Sequence, residues 1–221
     1  MTRREAILLA FGLPLAASDT RAFWEEKKPE DWTDEERREL LSHSPWARGA
    51  DLKFNGGPGP LGGPDGWLMA QPGVILNEPN GSTTRTPKKF AATVRWESAL
   101  PIRQASGNKS GKEPANYILS VTGDLPMLGG PGEETEDEHQ SRLENLKQYT
   151  RIEKRGGPLY LANFTGQQGK GTEAGTRFYF DRSDPITLHD GSVTFVTRLG
   201  PIDIKCKFAL KEMVYRGKLE L

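Results

Sequence analysis

The chain has 221 residues, enough for one domain with an appendage or for two small ones, and its 30 basic and 30 acidic residues cancel to a formal charge of zero. Loss of a leader through Ala22 would remove Arg3, Arg4, Arg21, Glu5 and Asp19 and leave a charge of about −1, no electrostatic footprint for nucleic acid or an anionic membrane. Cys206 is the only cysteine, which excludes an intramolecular disulfide, a cysteine-based zinc site and a lipoprotein-type acylated cysteine.

Residues 1–22 carry the address. Arg3 and Arg4 form a basic start, residues 6–17 are uncharged and mostly apolar, and small residues follow at Ala16, Ala17 and Ser18. This is the layout of a bacterial export signal, and the apolar run is shorter than the ~20 residues of a membrane-spanning helix. The paired arginines also suit a twin-arginine signal, although Glu5 interrupts that junction. The chain is therefore expected to be exported, periplasmic or extracellular, with no integral membrane segment once the signal is removed.

Residues 23–54 read as an N-terminal helical segment. Thr33 with Glu36 forms a capping box, Asp34 and Glu35 suit the positive end of a helix dipole, and Ser44-Pro45 ends the helix. Trp24, Trp32 and Trp46 flank it and are placed to pin it onto something larger. Residues 55–89 read as a Gly/Pro-rich linker, since the stretch NGGPGPLGGPDG at 55–66 cannot hold regular structure.

From residue 90 to 221 the pattern turns to period two, the mark of half-buried strands. Strands are predicted over 90–97, 117–122, 159–164, 177–180, 192–198 and 202–208. In the last of these, Ile202, Ile204, Cys206 and Phe208 oppose Asp203, Lys205 and Lys207, which turns the thiol inward. Gly200-Pro201 makes a hairpin of the final two strands. The ending, 213–221, alternates again, and 214–219 is expected to pair beside 202–208 with Gly217 at a bulge or close approach. One helix interrupts the strands, opened by a second capping box at Thr135 and Glu138 and carrying Leu143, Leu146 and Tyr149 at helical spacing. The fold class expected is α+β: a mostly antiparallel sheet or sandwich with one amphipathic helix, preceded by the short N-terminal helix and linker.

Few residues are arranged for chemistry. Gly166-Gln167-Gln168-Gly169-Lys170-Gly171-Thr172 lacks the spacing of a phosphate-binding loop and joins two predicted strands, so it reads as a glycine-rich hairpin tip. Ser106 and Lys109 have Ser-x-x-Lys spacing but sit in a flexible stretch, SGNKSGKEP, without companion motifs. The histidines, His43, His139 and His189, fall in three separate segments. Asp181, Asp184 and Asp190, beside His189, are the densest set of oxygen ligands and form the candidate metal site, of a kind that suits calcium. Arg95, Glu97 and Arg103 form the candidate binding site, where two guanidinium forks could grip an anionic group. A cross-strand ion pair is the plainer reading of the same residues. No catalytic residue stands out.

Three stretches together carry a resemblance. Trp32-Thr33-x-x-Glu36 with Ser44-Pro45-Trp46-Ala47, the run 95–105, and the ending Met213-Val214-Tyr215-x-Gly217-Lys218-Leu219-Glu220-Leu221 resemble a family of exported acidobacterial-type proteins. That family is loosely associated with the GWxTD group, and Asp31-Trp32-Thr33-Asp34 matches the Trp-Thr-Asp of its motif without the glycine before it. The resemblance implies export and a two-part layout. It implies no particular activity or cofactor.

The function expected is a non-catalytic binding or structural module of the bacterial cell envelope, with an envelope protein or ligand as its partner and no nucleic acid. No cofactor is expected. The alternative is a carboxylate-dependent hydrolase of the periplasm, because acid–base work by Asp and Glu leaves no short motif. Two carboxylates facing each other across a deep pocket would favour the hydrolase, and a flat or filled sheet the module.

Overall fold

The computed structural model describes residues 22–54, 90–108, 112–123, 125, 135–167 and 175–221. The signal region through residue 21, the linker at 55–89, Lys109 and the glycine-rich tip from 168 to 174 lie outside these residues.

Two helices open the chain, α1 (Phe23–Glu26) and α2 (Asp34–Ser42). The α2 capping box forms as the sequence requires: the Glu36 N–H donates to Thr33 Oγ1 at 3.2 Å and the Thr33 N–H to Glu36 Oε2 at 2.9 Å. These bonds satisfy amides that have no partner within the helix. Two short strands follow almost without a break, β1 (Ala47–Gly49) and β2 (Asp51–Phe54), separated by Ala50 alone. Then come β3 (Ala92–Trp96), α3 (Leu100–Ala105), β4 (Asn116–Gly123) and α4 (Glu136–Tyr149), the last capped by Thr135 and Glu138 in the same way as α2. The rest is strand: β5 (Arg151–Glu153), β6 (Leu159–Gln167), β7 (Gly175–Asp181), β8 (Ser192–Leu199) and β9 (Ile202–Ala209), with a terminal pair β10 (Val214–Tyr215) and β11 (Lys218–Leu219).

Nine strands make one antiparallel sheet in the order β1-β3-β4-β7-β6-β5-β8-β9-β2. The two outermost strands are neighbours in the chain. β1 pairs with β3 (Arg48 opposite Val94), and β2 pairs with β9 (Leu52 opposite Ile204). A sheet whose two edges are joined through Ala50 must curl on itself, so the architecture is a nearly closed barrel in which residues 47–54 act as one bent strand. The Ala50 N–H still donates to the Ala92 carbonyl at 2.8 Å, which carries the first ladder up to the bend. Closure of this kind covers most of the edge that an open sheet would offer to other chains and leaves short unpaired stretches only where β1 turns from β9.

The barrel interior is full. Trp96 meets Phe208 with ring centroids 5.9 Å apart, Phe178 meets Phe195 at 5.3 Å and Phe180 meets Phe195 at 6.2 Å. Each of these contacts joins strands that are not neighbours in the sheet. They cross the barrel, and all five rings are buried. Each large apolar side chain buried this way stabilises the fold by about 1.5–3 kcal/mol relative to exposure. α4 packs against β6 and β8 with Leu143 and Leu146 buried, and its His139 ring stacks on Phe164 at 4.5 Å.

Two expectations need correction. Residues 47–54, read from sequence as part of a helical segment set apart from the sheet, supply the strand that closes it, and Trp32, Leu40 and Trp46 share its core. The chain ending does not pair beside β9. Arg216 and Gly217 take positive φ values of 51° and 81°, the two-residue turn geometry of a tight hairpin. The chain therefore reverses after Tyr215, and β11 pairs with β10 (Val214 opposite Leu219). Gly217 serves this turn, and a Cβ there would meet nothing within 4 Å, so no close approach requires it.

The other strand predictions stand with small shifts of boundary. The β8–β9 hairpin runs in continuous register from Ser192 opposite Ala209 to Leu199 opposite Ile202. Among the described residues no helix is long and apolar enough to cross a membrane.

Candidate functional site

Arg95 and Glu97 meet as a partly buried ion pair on the outer face of the barrel. Arg95 Nε and Nη2 donate to Glu97 Oε1 at 2.9 and 2.5 Å, and the Ser120 hydroxyl donates to the same oxygen at 2.7 Å. The third arm of the guanidinium, Nη1, donates to the Leu41 carbonyl at 3.3 Å, near the C-terminal end of α2 where positive charge is favoured. Arg95 thus ties α2 to β3, with its fork directed at protein groups.

Arg103 is 7% exposed on α3 and takes another course. Its Nε donates to the Ser98 carbonyl at 3.1 Å and its Nη1 to the Lys112 carbonyl at 2.9 Å. It holds together the turn after β3 and the segment that leads into β4. Arg95 and Glu97 are brought together, and Arg103 donates to the backbone carbonyls of Ser98 and Lys112.

The three aspartates are engaged singly. Asp181 Oδ1 accepts from the Ser183 N–H at 2.8 Å, Asp184 Oδ2 lies 2.9 Å from Lys154 Nζ, and Asp190 Oδ2 accepts from the Thr187 N–H at 2.9 Å. The Asp190 bond caps a short 3-10 turn, Leu188–Asp190. Among the described residues no three His, Cys, Asp or Glu side chains come close enough to hold an ion together.

Two open clefts lie elsewhere. One, of about 530 Å³, sits between Tyr117, Ile186, Leu219 and Leu221 with Arg182 in its wall. The Arg182 guanidinium stacks 4.3 Å over the Tyr117 ring, pairs with Glu113 and donates to the Leu221 oxygen at 2.6 Å. The charge of Arg182 is answered by protein groups in the wall, the Glu113 carboxylate and the Leu221 oxygen.

The other cleft, of about 720 Å³, opens at the barrel seam where β1 has turned towards β3 and β9, among the described residues, is left without a strand on that side. Trp24, His43, Arg48, Cys206, Lys207 and Glu212 stand around it, and an Arg48–Glu212 ion pair spans it. Cys206 is 2% exposed, and burial pushes its thiol up to about 12, so at neutral pH it is a protonated thiol and a poor nucleophile. Its Sγ contacts the carbonyls of Arg48 and Gly49 at 3.9 and 3.7 Å. This cleft was invisible in the sequence because its walls come from three distant stretches. The one local hint was the small pair Gly49-Ala50, where the chain changes partner.

No family model, no curated protein and no solved structure matches the chain.

Proposed function

We propose that this chain is an exported, non-catalytic binding or structural module of the bacterial cell envelope. The observation that carries the reading is the filled barrel. Where a ligand-carrying barrel holds a cavity, this one holds buried rings that meet across it, Trp96 with Phe208 and Phe195 with Phe178 and Phe180. The charged groups nearest to a site-like arrangement, Arg95 with Glu97 and Arg182 with Glu113, answer one another. Binding on such a body falls to its outer surface and its seam. The export half of the reading rests on residues 1–22.

Fractionation with mass spectrometry tests the address: the envelope fraction is expected to hold a form whose N-terminus lies between Asp19 and Phe23. Intact Met1 confined to the cytoplasm would refute it. For the module, affinity purification from the native envelope is expected to retain a stoichiometric partner, with no turnover of glycoside, ester or peptide substrates. Turnover that disappears on substitution of one carboxylate would favour the hydrolase instead.

A further inference from the structure

We propose that the seam between β1 and β9 is a docking slot for an extended peptide of a partner protein, which enters as an added strand and carries an acidic side chain. This deepens the reading of the chain as a binding module and rests on it.

The hydrogen-bonding directions of the backbone define the slot. The Trp96 N–H donates to the Trp46 carbonyl and the Ala50 N–H to the Ala92 carbonyl, so residues 46, 48 and 50 face β3. Alternation then turns the N–H and C=O of Ala47 and Gly49 away from β3. Ala47 exchanges both of its groups with Ser44, at 3.0 and 3.1 Å. Among the described residues Gly49 makes no such exchange: its carbonyl meets the weak thiol donor of Cys206 at 3.7 Å, and a Cβ on it would meet nothing within 4 Å.

On the facing side, β9 pairs with β2 only as far as Lys205, so from Cys206 to Ala209 it pairs with β8 alone. Among the described residues, the Gly49 N–H of β1 and the edge-facing main-chain groups of residues 206–209 of β9 therefore border the 720 Å³ cleft without a strand partner. Unpaired edges are templates for another strand. A four-residue strand is about 13 Å long at the usual rise per residue, which matches the free stretch of β9.

Charge and shape select the occupant. Arg48 and Glu212 answer each other across the slot, and Asp51 stands directly opposite Lys205 in the β2–β9 ladder. Lys207, exposed on the free stretch of β9, has no carboxylate within ion-pair range among the described residues. The half-buried Trp24 ring and Pro45 form an apolar wall beside it. An extended segment that alternates apolar residues with an aspartate or glutamate meets these features together.

The test is an amide NMR titration of the 22–221 chain with a blocked pentapeptide of alternating valine and threonine bearing one central aspartate. Shifts are expected at Gly49 and Lys207, and N-methylation of the peptide amides is expected to weaken binding by about tenfold or more. Lys207→Glu is expected to reverse the preference, so that the same peptide with lysine for aspartate binds better. The proposal is overturned by an absence of shifts at millimolar peptide, by shifts confined to another face, or by N-methylated peptide binding equally well. A Gly49 shift that depends on protein concentration without peptide would give the seam to a second copy and also overturn it. If an envelope partner is retained equally by wild type and Lys207→Glu, the slot fails while the module reading stands.

Discussion

The Trp46 indole N–H donates to the Glu220 carbonyl at 2.8 Å, joining residues 174 positions apart in the chain. Trp46 has just left α2 and is about to enter β1, and Glu220 follows β11. The bond therefore links the start of the closing strand to the terminal hairpin. Ring contacts extend the link: Phe23 to Trp24 at 5.0 Å, Trp24 to Trp46 at 6.0 Å and Trp46 to Tyr215 at 6.3 Å, all edge to face. Edge-to-face pairs contribute beyond their buried area.

Trp46→Phe keeps most of the ring and deletes the donor. It is expected to cost about 1–2 kcal/mol, because the Glu220 carbonyl loses its partner in a largely desolvated place. Trp46→Ala is expected to cost about 3–5 kcal/mol. Urea denaturation of both variants checks this, and an unchanged midpoint for Trp46→Phe would show that the hydrogen bond contributes nothing.

Deletion of residues 214–221 removes Tyr215 and Leu221 from the core and both acceptor partners at Glu220 and Leu221. The truncated protein is expected to be insoluble or molten, with near-ultraviolet circular dichroism lost. Cooperative melting at an unchanged temperature would mean the hairpin is an ornament on the barrel.

The Arg95–Glu97 pair is expected to behave as a structural tie. Its side chains are 21% and 12% exposed, so removing one partner strands the other charge in a poorly hydrated place. Glu97→Gln is expected to destabilise by about 1–3 kcal/mol, discounted from the fully buried case for residual solvent. Arg95→Met combined with Glu97→Leu is expected to cost less than Glu97→Gln alone. Additive single and double costs in a mutant cycle would contradict the tie.

The two helix caps give the protein an acid-side dependence. The Glu36 carboxyl lies below the ordinary 4.5 because Lys27 donates to it, with help from the Thr33 backbone, and Glu138 lies below 4.5 because the Thr135 backbone donates to it. A carboxyl depressed in the folded state stabilises above its unfolded value and loses that contribution as pH falls through the folded one. Stability is therefore expected to fall below about pH 4.5, and Glu36→Gln with Glu138→Gln is expected to flatten that part of the profile. An unchanged slope in the double variant would remove the caps from the account.

At alkaline pH the sign reverses for Cys206. Its thiol is raised from 9.0 to about 12 by burial, so the unfolded chain ionises first and stability declines as pH rises past 9.0. Alkylation by iodoacetamide at pH 8 is expected to be slow in the native protein and fast in urea. Rapid native labelling would contradict the burial of the thiol beneath the seam.

The β8 and β9 strands were legible because Ile202, Ile204, Cys206 and Phe208 alternate strictly with charged residues, and both long caps were legible from a threonine with a glutamate three positions on. The closing strand was not. ARGADLKF, at 47–54, is short, carries charge at Arg48, Asp51 and Lys53 without strict alternation and changes partner at Ala50, so no single period runs through it. The terminal hairpin was missed because a turn with arginine at positive φ has no compositional signal beyond one glycine. The seam cleft depends on that same closing strand, so a reading blind to residues 47–54 as a strand was blind to the cleft as well. At Arg95 and Glu97 the sequence supplied the residues, and the fold decided that they face each other.

Residues 47–54 close the barrel by pairing on both sides, with β3 and with β9. Backbone NOEs measured on a single sample decide this directly. Cross-strand NOEs between Arg48 and Val94 and between Leu52 and Ile204 are expected together, with slow amide exchange at Ala50, whose N–H donates to Ala92. Detection of only one set, or an N-terminal segment that relaxes independently of the sheet, would contradict the closed barrel and the seam that follows from it.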